Sequence, residues 1–216
     1  MSPRSERLNQ ELRARSRERI LAAALEVFAE HGYESATISQ VTERAQVSRG
    51  LVSYYFRTKE ELLAAILDQW LSSVFTLLDG LDPAAGPDQR LRTVIDRVLT
   101  TARERLAEQR LMLCLMVQPS TRTTYARVER SRAAEATAFE NSLREIFADR
   151  GAADPAVEEV LWRSMMEGVL FKLAVYTDSY PLDAVRTRLY QLYGLTETDP
   201  APTAADQAAP IRLRIP

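Results

Sequence analysis

From Ile20 to Leu192 the apolar residues recur at three- and four-residue spacing, and no stretch of any length alternates apolar with polar. This property constrains the chain most. Each segment presents an apolar stripe, and such stripes are buried by packing helix on helix. The expected fold class is all-α. Ile20, Leu21, Ala24, Leu25 and Phe28 form one stripe, stopped by His31 and Gly32, with Ser16 standing where an N-cap would. Thr37 is placed to cap a short segment with Ile38, Val41 and Ala45 on one face. After a break at Gln46-Val47, Ser48 caps a second short helix over 49–56. A third opens at Thr58, where Thr58 and Glu61 spell a capping box, and runs through Trp70 toward Leu78. Further helices are expected over about 88–108, 110–117, 120–150, 155–176 and 181–193. Gly32, Gly80, Gly86, Gly151 and Gly194 read as helix stops, while Gly50 and Gly168 fall inside helical patterns.

Composition removes several function classes. The chain has 216 residues, 46% of them hydrophobic, with a single Cys and a single His. One Cys makes no internal disulfide, and Cys114 reads as a small buried hydrophobe. One His and one Cys do not build a zinc cage, and no nucleophile and base cluster in the sequence. Neither an enzyme nor a cofactor or metal is expected. No apolar run approaches the roughly 18 residues of a membrane span, and the charged N-terminus lacks the apolar core of a secretory signal. The cytoplasm is the expected location, with no membrane partner. The net charge of −2 conceals an asymmetry: residues 1–19 carry six Arg against three Glu. Residues 1–16 read as a basic flexible arm, either plainly solvated or following DNA phosphates. The tail, 197–216, reads as flexible.

Two short helices joined by a tight turn behind a longer one make a helix-turn-helix candidate, or simply a small three-helix packing unit. At about 100° per residue, Arg49, Gly50, Ser53 and Tyr54 share an arc of roughly 140°, with Val52, Tyr55 and Phe56 opposite. Ile38, Val41, Val47, Val52 and Phe56 can form a small core. The other arc offers a cation, a hydroxyl, a phenol and a bare backbone, which suits a major groove.

The stretch ATISQVTERAQVSRGLVSYYFRTKEELL, with RERILAAALEVFAEHGYESAT before it, resembles the DNA-binding domain of the tetracycline-repressor (TetR) family of bacterial transcription regulators. The resemblance covers about residues 17–65, and SRGLVSYYF is most similar to the BetI-like, choline-responsive branch. It implies a basic arm over 1–16, a DNA-binding domain over 17–65, and a helical ligand-binding and dimerisation domain over 66–196. Under it, Thr37 and Ser48 would hold phosphates, Arg49 a guanine edge or a phosphate, and Gly50 would allow close approach. Leu51 and Ser53 would touch bases; Tyr54, Tyr55 and Lys59 would meet phosphates. Three positions depart from the family: Gln46 stands where Gly is usual in the turn, Thr42 replaces a small apolar residue, and Ser53 is smaller than usual.

The resemblance further implies a homodimer on a palindromic operator of double-stranded DNA, most simply a repressor, released by a small-molecule effector. The alternative is a dimeric small-molecule-binding protein with a vestigial head. Candidate ligand contacts are Trp70, Phe75, Met112, Met116, Phe139, Trp162 and Met166, because Met and aromatic side chains suit adaptable apolar sites. Segment 155–176 is apolar on two sides, so one side is available to a partner. Candidate dimer residues are Met165, Gly168, Val185, Leu189 and Leu192, with Gly168 permitting close helix approach; simple core packing is the competing explanation.

Overall fold

The computed structural model describes residues 3–195, and every regular element among them is helical. The α-helices are α1 (Pro3–Ser35), α2 (Ile38–Ala45), α3 (Arg49–Tyr55), α4 (Lys59–Phe75), α5 (Pro87–Glu104), α6 (Leu106–Val117), α7 (Pro119–Ser131), α8 (Ala133–Asp149), α9 (Pro155–Tyr176) and α10 (Leu182–Leu192). Short 3-10 turns at Thr76–Leu78 and Thr177–Ser179 extend α4 and α9.

The first departure from expectation is α1. Ser16 is not its N-cap: the Ser16 hydroxyl donates to the Leu12 carbonyl one turn back, at 2.8 Å. The helix instead begins at Pro3, so the segment expected to be a flexible arm is helical from there. Between Pro3 and Ser16 no Gly or second Pro interrupts a run rich in Arg, Glu, Leu and Gln, all good helix formers. Gly32 (φ 74°, ψ 154°) then kinks the last turn of α1, in a conformation other residues rarely adopt. Gly86 is not a stop: with φ −58° it is the N-cap of α5, and Pro87 opens that helix.

The middle of the chain is more broken than its periodicity suggests. The expected helix over 88–108 ends at Glu104, and the expected helix over 120–150 splits at Arg132. No Gly or Pro stands at either break. Arg132 is held by a bidentate pair with Asp68 of α4, at 2.6 and 2.9 Å, so tertiary contact fixes this break. Cys114, expected to be buried, is exposed.

Two apolar cores result. The first joins Phe28, Val41, Val52, Phe56, Leu62 and Leu67 with Leu111, Met112 and Leu115 of α6 and Val128 of α7. The core of the helix-turn-helix therefore does not end at residue 65. The second is built from α5, α8, α9 and α10 around Ile95, Leu99, Leu143, Phe147, Trp162 and Leu189. At roughly 1.5–3 kcal/mol for each fully buried large apolar side chain, these cores dominate the stabilisation. The stretch Lys59–Leu78 is, by length and composition, apolar enough to cross a membrane, with a mean hydropathy of 1.3. This stretch departs from the expectation that no apolar run approaches a membrane span, because Lys59, Glu60, Glu61 and Asp68 punctuate it in the sequence. Leu62, Leu63, Ile66, Leu67 and Leu71 turn its apolar side into the first core.

Candidate functional site

The first candidate surface is assembled by caps. Thr37 begins α2 with a full capping box: its hydroxyl oxygen accepts from the Gln40 N–H, and its own N–H donates to Gln40 Oε1 at 2.8 Å. Its hydroxyl also donates to Gln40 Oε1, at 2.9 Å. Both Thr37 donors expected to reach a phosphate are thus committed to Gln40. At the other end of α2, Gln46 is left-handed (φ 54°, ψ 46°), and its N–H and that of Val47 close the turn onto Glu43 and Thr42. That is the conformation for which the absent Gly is suited. Arg19 of α1 donates to the Ala45 carbonyl at 2.7 Å and seals the same end.

Ser48 caps α3 by accepting from the Leu51 N–H at 3.2 Å. On α3, Val52 and Phe56 are buried, while Ser48, Arg49, Gly50, Ser53 and Tyr54 are exposed together. Arg49 has no ion-pair partner among the described residues. A Cβ on Gly50 would meet nothing closer than Ser48 Oγ at 3.9 Å, so the fold does not require glycine there. Leu51 and Tyr55 are half-buried against the core. The Tyr55 hydroxyl donates to the Arg13 carbonyl at 3.1 Å, which ties α3 to α1 and diverts the group from the expected phosphate. Arg17 stacks over Phe56, 5.5 Å from the ring centre, and reinforces the tie. Thr58 caps α4, but Glu61 completes only half of the expected box: its carboxylate accepts from the Arg57 N–H and not that of Thr58.

Lys59 is placed differently from expectation. Its ammonium donates to the carbonyls of Tyr33, Glu34 and Ala36 at 2.8, 3.0 and 3.1 Å, and lies over the Tyr33 ring. All three donors thus close the end of α1. Arg44 is likewise engaged, with Glu26 at 2.9 Å and Glu30 at 2.7 Å; its hydrogen bonds to Glu30 hold that carboxyl below its usual range.

The second candidate site is a cavity of about 310 Å³ bounded by α4 to α9. Trp70, Phe75, Met116, Phe139, Trp162 and Met166 line it, as expected from side-chain chemistry; Met112 does not, being fully buried in the first core. Sequence reasoning missed the polar lining: Arg105, Glu108, Gln109, Glu129, Glu140, Arg163 and Glu167, together with Tyr125. Helical spacing from known lining positions was the available signal, since Arg163 and Glu167 adjoin Trp162 and Met166. Burial pushes the Glu108 carboxyl up, against the opposing effect of Arg105. Behind the wall, fully buried Glu159 joins Arg144, Arg163 and Glu140 in an ion cluster that clasps α8 to α9. α6 serves both sites: Leu111, Met112 and Leu115 enter the first core, and Gln109, Leu113 and Met116 line the cavity.

A third surface is apolar. Val157, Val160, Leu161, Phe171 and Val175 of α9 and Leu192 of α10 are each between 49% and 59% exposed. Leu161, Ser164, Gly168, Phe171 and Val175 follow the three-four spacing of a helix-packing seam, and Gly168 faces open space. Of the dimer candidates, Gly168 is exposed on this side of α9 and Leu192 is exposed on α10, Met165 and Val185 are half-buried, and Leu189 belongs to the second core. Val160, Phe171 and Val175 were missed because the sequence alone did not say which side of α9 faced inward.

Residues 20–66 match the family of bacterial regulatory proteins named for tetR. The HTH-type transcriptional regulator BetI of Escherichia coli is 39% identical over 84 residues, covering 37% of this chain and 43% of that protein. The match therefore spans less than half the length of such relatives. Among solved structures, a transcriptional regulator from Rhodococcus sp. Rha1 superimposes with a TM-score of 0.69 at 24% identity, over 82% of this chain and 94% of that one. The regulator FadR of Bacillus subtilis, solved in complex with stearoyl-CoA, gives 0.66 at 18% identity, over 82% and 96%. These structures share the all-α fold beyond the head.

Proposed function

Since residues 20–66 match the TetR family of bacterial regulatory proteins, we propose that the chain belongs to that family and is a ligand-responsive transcription regulator, acting as a repressor. Residues 17–65 would be the reading head and 66–196 the ligand-binding and dimerisation domain. The observation that carries this reading is the face of α3: Ser48, Arg49, Gly50, Ser53 and Tyr54 stand exposed together on a helix fixed by buried Val52 and Phe56. Arg49 contacts a guanine edge or a phosphate, Tyr54 a phosphate, and Gly50 lets the backbone approach the groove. Thr37, Tyr55 and Lys59 then act chiefly by positioning: they start α2, fasten α3 to α1, and close α1. The helical N-terminal segment, joined to α3 through Arg13, carries exposed Arg13 and Arg15 toward the flanking backbone.

The apolar seam of α9 supports a homodimer, which would read a palindrome with two copies of α3. Ser164 and Gly168 in mid-seam let two helices approach closely. An effector in the cavity would press on Leu113 and Met116, and α6 would pass the displacement to Leu111, Met112 and Leu115 in the core beneath the head. The effector releases DNA only to the extent that it binds the displaced state more tightly. The body has no catalytic role in this reading, and work on DNA in a bacterium sets a cytoplasmic location.

The test is fluorescence anisotropy with DNA from the chain's own upstream region, across a salt series. Salt-sensitive, sequence-specific binding is expected, and Arg49→Ala should weaken it by about 1–3 kcal/mol if Arg49 reads a base. Equal affinity for unrelated DNA would remove the regulator reading and leave a binding protein with an idle head.

A further inference from the structure

The charge of the cavity wall says what it can hold. Four carboxylates line it, against two guanidiniums. Both guanidiniums are occupied: Arg105 lies 3.6 Å from Glu108, and Arg163 lies 3.3 Å from Glu140. Glu129 of α7 and Glu167 of α9 have no basic partner among the described residues. Both act on Tyr125, whose pKa is pushed up to about 12 first by burial and then by these two charges. Tyr125 is 9% exposed, and its hydroxyl, which is not sealed from solvent, has no hydrogen-bond partner among the described residues. The walls beyond are aromatic, with the rings of Phe75 and Phe139 6.0 Å apart and Trp70 beside them.

Such a cavity selects by sign and by surface. Two uncompensated carboxylates beside a low-dielectric wall give a negative potential that repels anions. Aromatic faces attract a cation through their quadrupole, and most when its surrounding groups are apolar enough to leave water easily. A small hydrated metal ion would lose its water without gaining ligands: no group of three or more His, Cys, Asp or Glu is placed to hold one among the described residues.

We propose that this cavity takes a lipophilic organic cation, a quaternary ammonium, phosphonium or protonated aryl amine, with its charge beside Glu129, Glu167 and Tyr125 and its apolar body against Trp70, Phe75 and Phe139. The inference rests on the reading of the cavity as the effector site, and it names the class of effector. Binding would relieve the unbalanced charge of the two carboxylates, which stand on different helices, and would draw α7 and α9 toward a common partner.

Tetraphenylphosphonium and tetraphenylborate, ions of one shape and opposite charge, test it. The full chain is titrated with each and read by fluorescence of its two Trp residues, Trp70 and Trp162, both in the wall. The phosphonium is expected to bind about tenfold or more tighter than the borate. Combined Glu129→Gln and Glu167→Gln should weaken phosphonium binding by about tenfold and leave the borate unchanged or improved. Both side chains are exposed, so the substitutions spare the cores; circular dichroism checks this, and the single variants should each show part of the loss. Equal binding of the two ions, or phosphonium binding indifferent to both Gln substitutions, would overturn the proposal. Adding tetraphenylphosphonium to the DNA complex separates the two readings. Release by wild type but not by the double variant supports both. Tight phosphonium binding that leaves DNA in place keeps the cavity inference and overturns the effector role.

Discussion

The head, α1 to the start of α4, buries its apolar residues and exposes polar ones along α3. The body does the reverse, exposing apolar residues along α9 and leaving a cavity behind them. In the head, short helices are fixed by local devices, the caps at Thr37, Ser48 and Thr58 and the turn at Gln46. In the body, the break at Arg132 rests on distant Asp68, and buried Glu159 is held by Arg144 of the neighbouring helix. A surface built by local rules suits a fixed reading task. A body held by long-range pairs around a cavity suits one that must rearrange.

The largest effect is expected at the apolar side of the body. Leu161→Glu with Phe171→Glu places two charges on the α9 seam, and unpaired charges at such a contact cost several kcal/mol. Sedimentation should show monomers with unchanged circular dichroism, and operator binding should fall by two or more orders of magnitude. An intact dimer would move the interface elsewhere. Next comes Gly50→Leu. No atom of the fold opposes a side chain there, so thermal stability should hold or rise by up to about 1 kcal/mol. DNA affinity should nevertheless fall by about a hundredfold, since the added side chain stands between α3 and the groove. Equal loss of stability and affinity would mean that Gly50 serves the fold.

These contrasts follow what was legible in the sequence. The head was readable because its signals are local: Val52 and Phe56 fall opposite Arg49, Gly50, Ser53 and Tyr54 by helical spacing alone. The Thr37–Gln40 box was also spelled in the sequence, as Thr-x-x-Gln, but nothing local showed that Lys59 gives all three of its donors to the end of α1. The partners of Lys59 lie where the chain folds back, 23 to 26 residues earlier. In the body, the segment 155–176 read as apolar on two sides without saying which faced inward, and Arg105 and Arg132 carry no mark of a break. Met112 and Met116 lie one turn apart on nearly the same side of α6, and only the packing shows that the first enters a core and the second lines the cavity.

Two smaller effects sharpen the comparison. Asp68→Asn removes the pair that sets the α7–α8 break. Arg132 holds the Asp68 carboxyl below its usual range, mainly through its hydrogen bonds. This stabilisation is therefore present above the unfolded carboxyl pKa and is lost as the pH falls through the lowered one. With Asp68 47% exposed, the expected loss near neutral pH is about 0.5 kcal/mol after solvent screening, vanishing in strong acid. Thermal unfolding at both pH values measures it. Gln46→Gly should stabilise the head by up to about 1 kcal/mol, since it relieves a left-handed non-glycine residue, offset in part by the freer unfolded chain. No gain would mean that Gln46 meets its φ without strain.

The central claim is that two copies of the α3 face read one DNA sequence. Selection of binding sites from random duplex DNA by the purified full chain tests it most directly. The expected result is enrichment of an inverted repeat whose half-sites lie about one helical turn apart, lost when Arg49→Ala or Gly50→Leu protein is used. Enrichment of no sequence, or of an unpaired half-site by a protein that sediments as a dimer, would contradict the account.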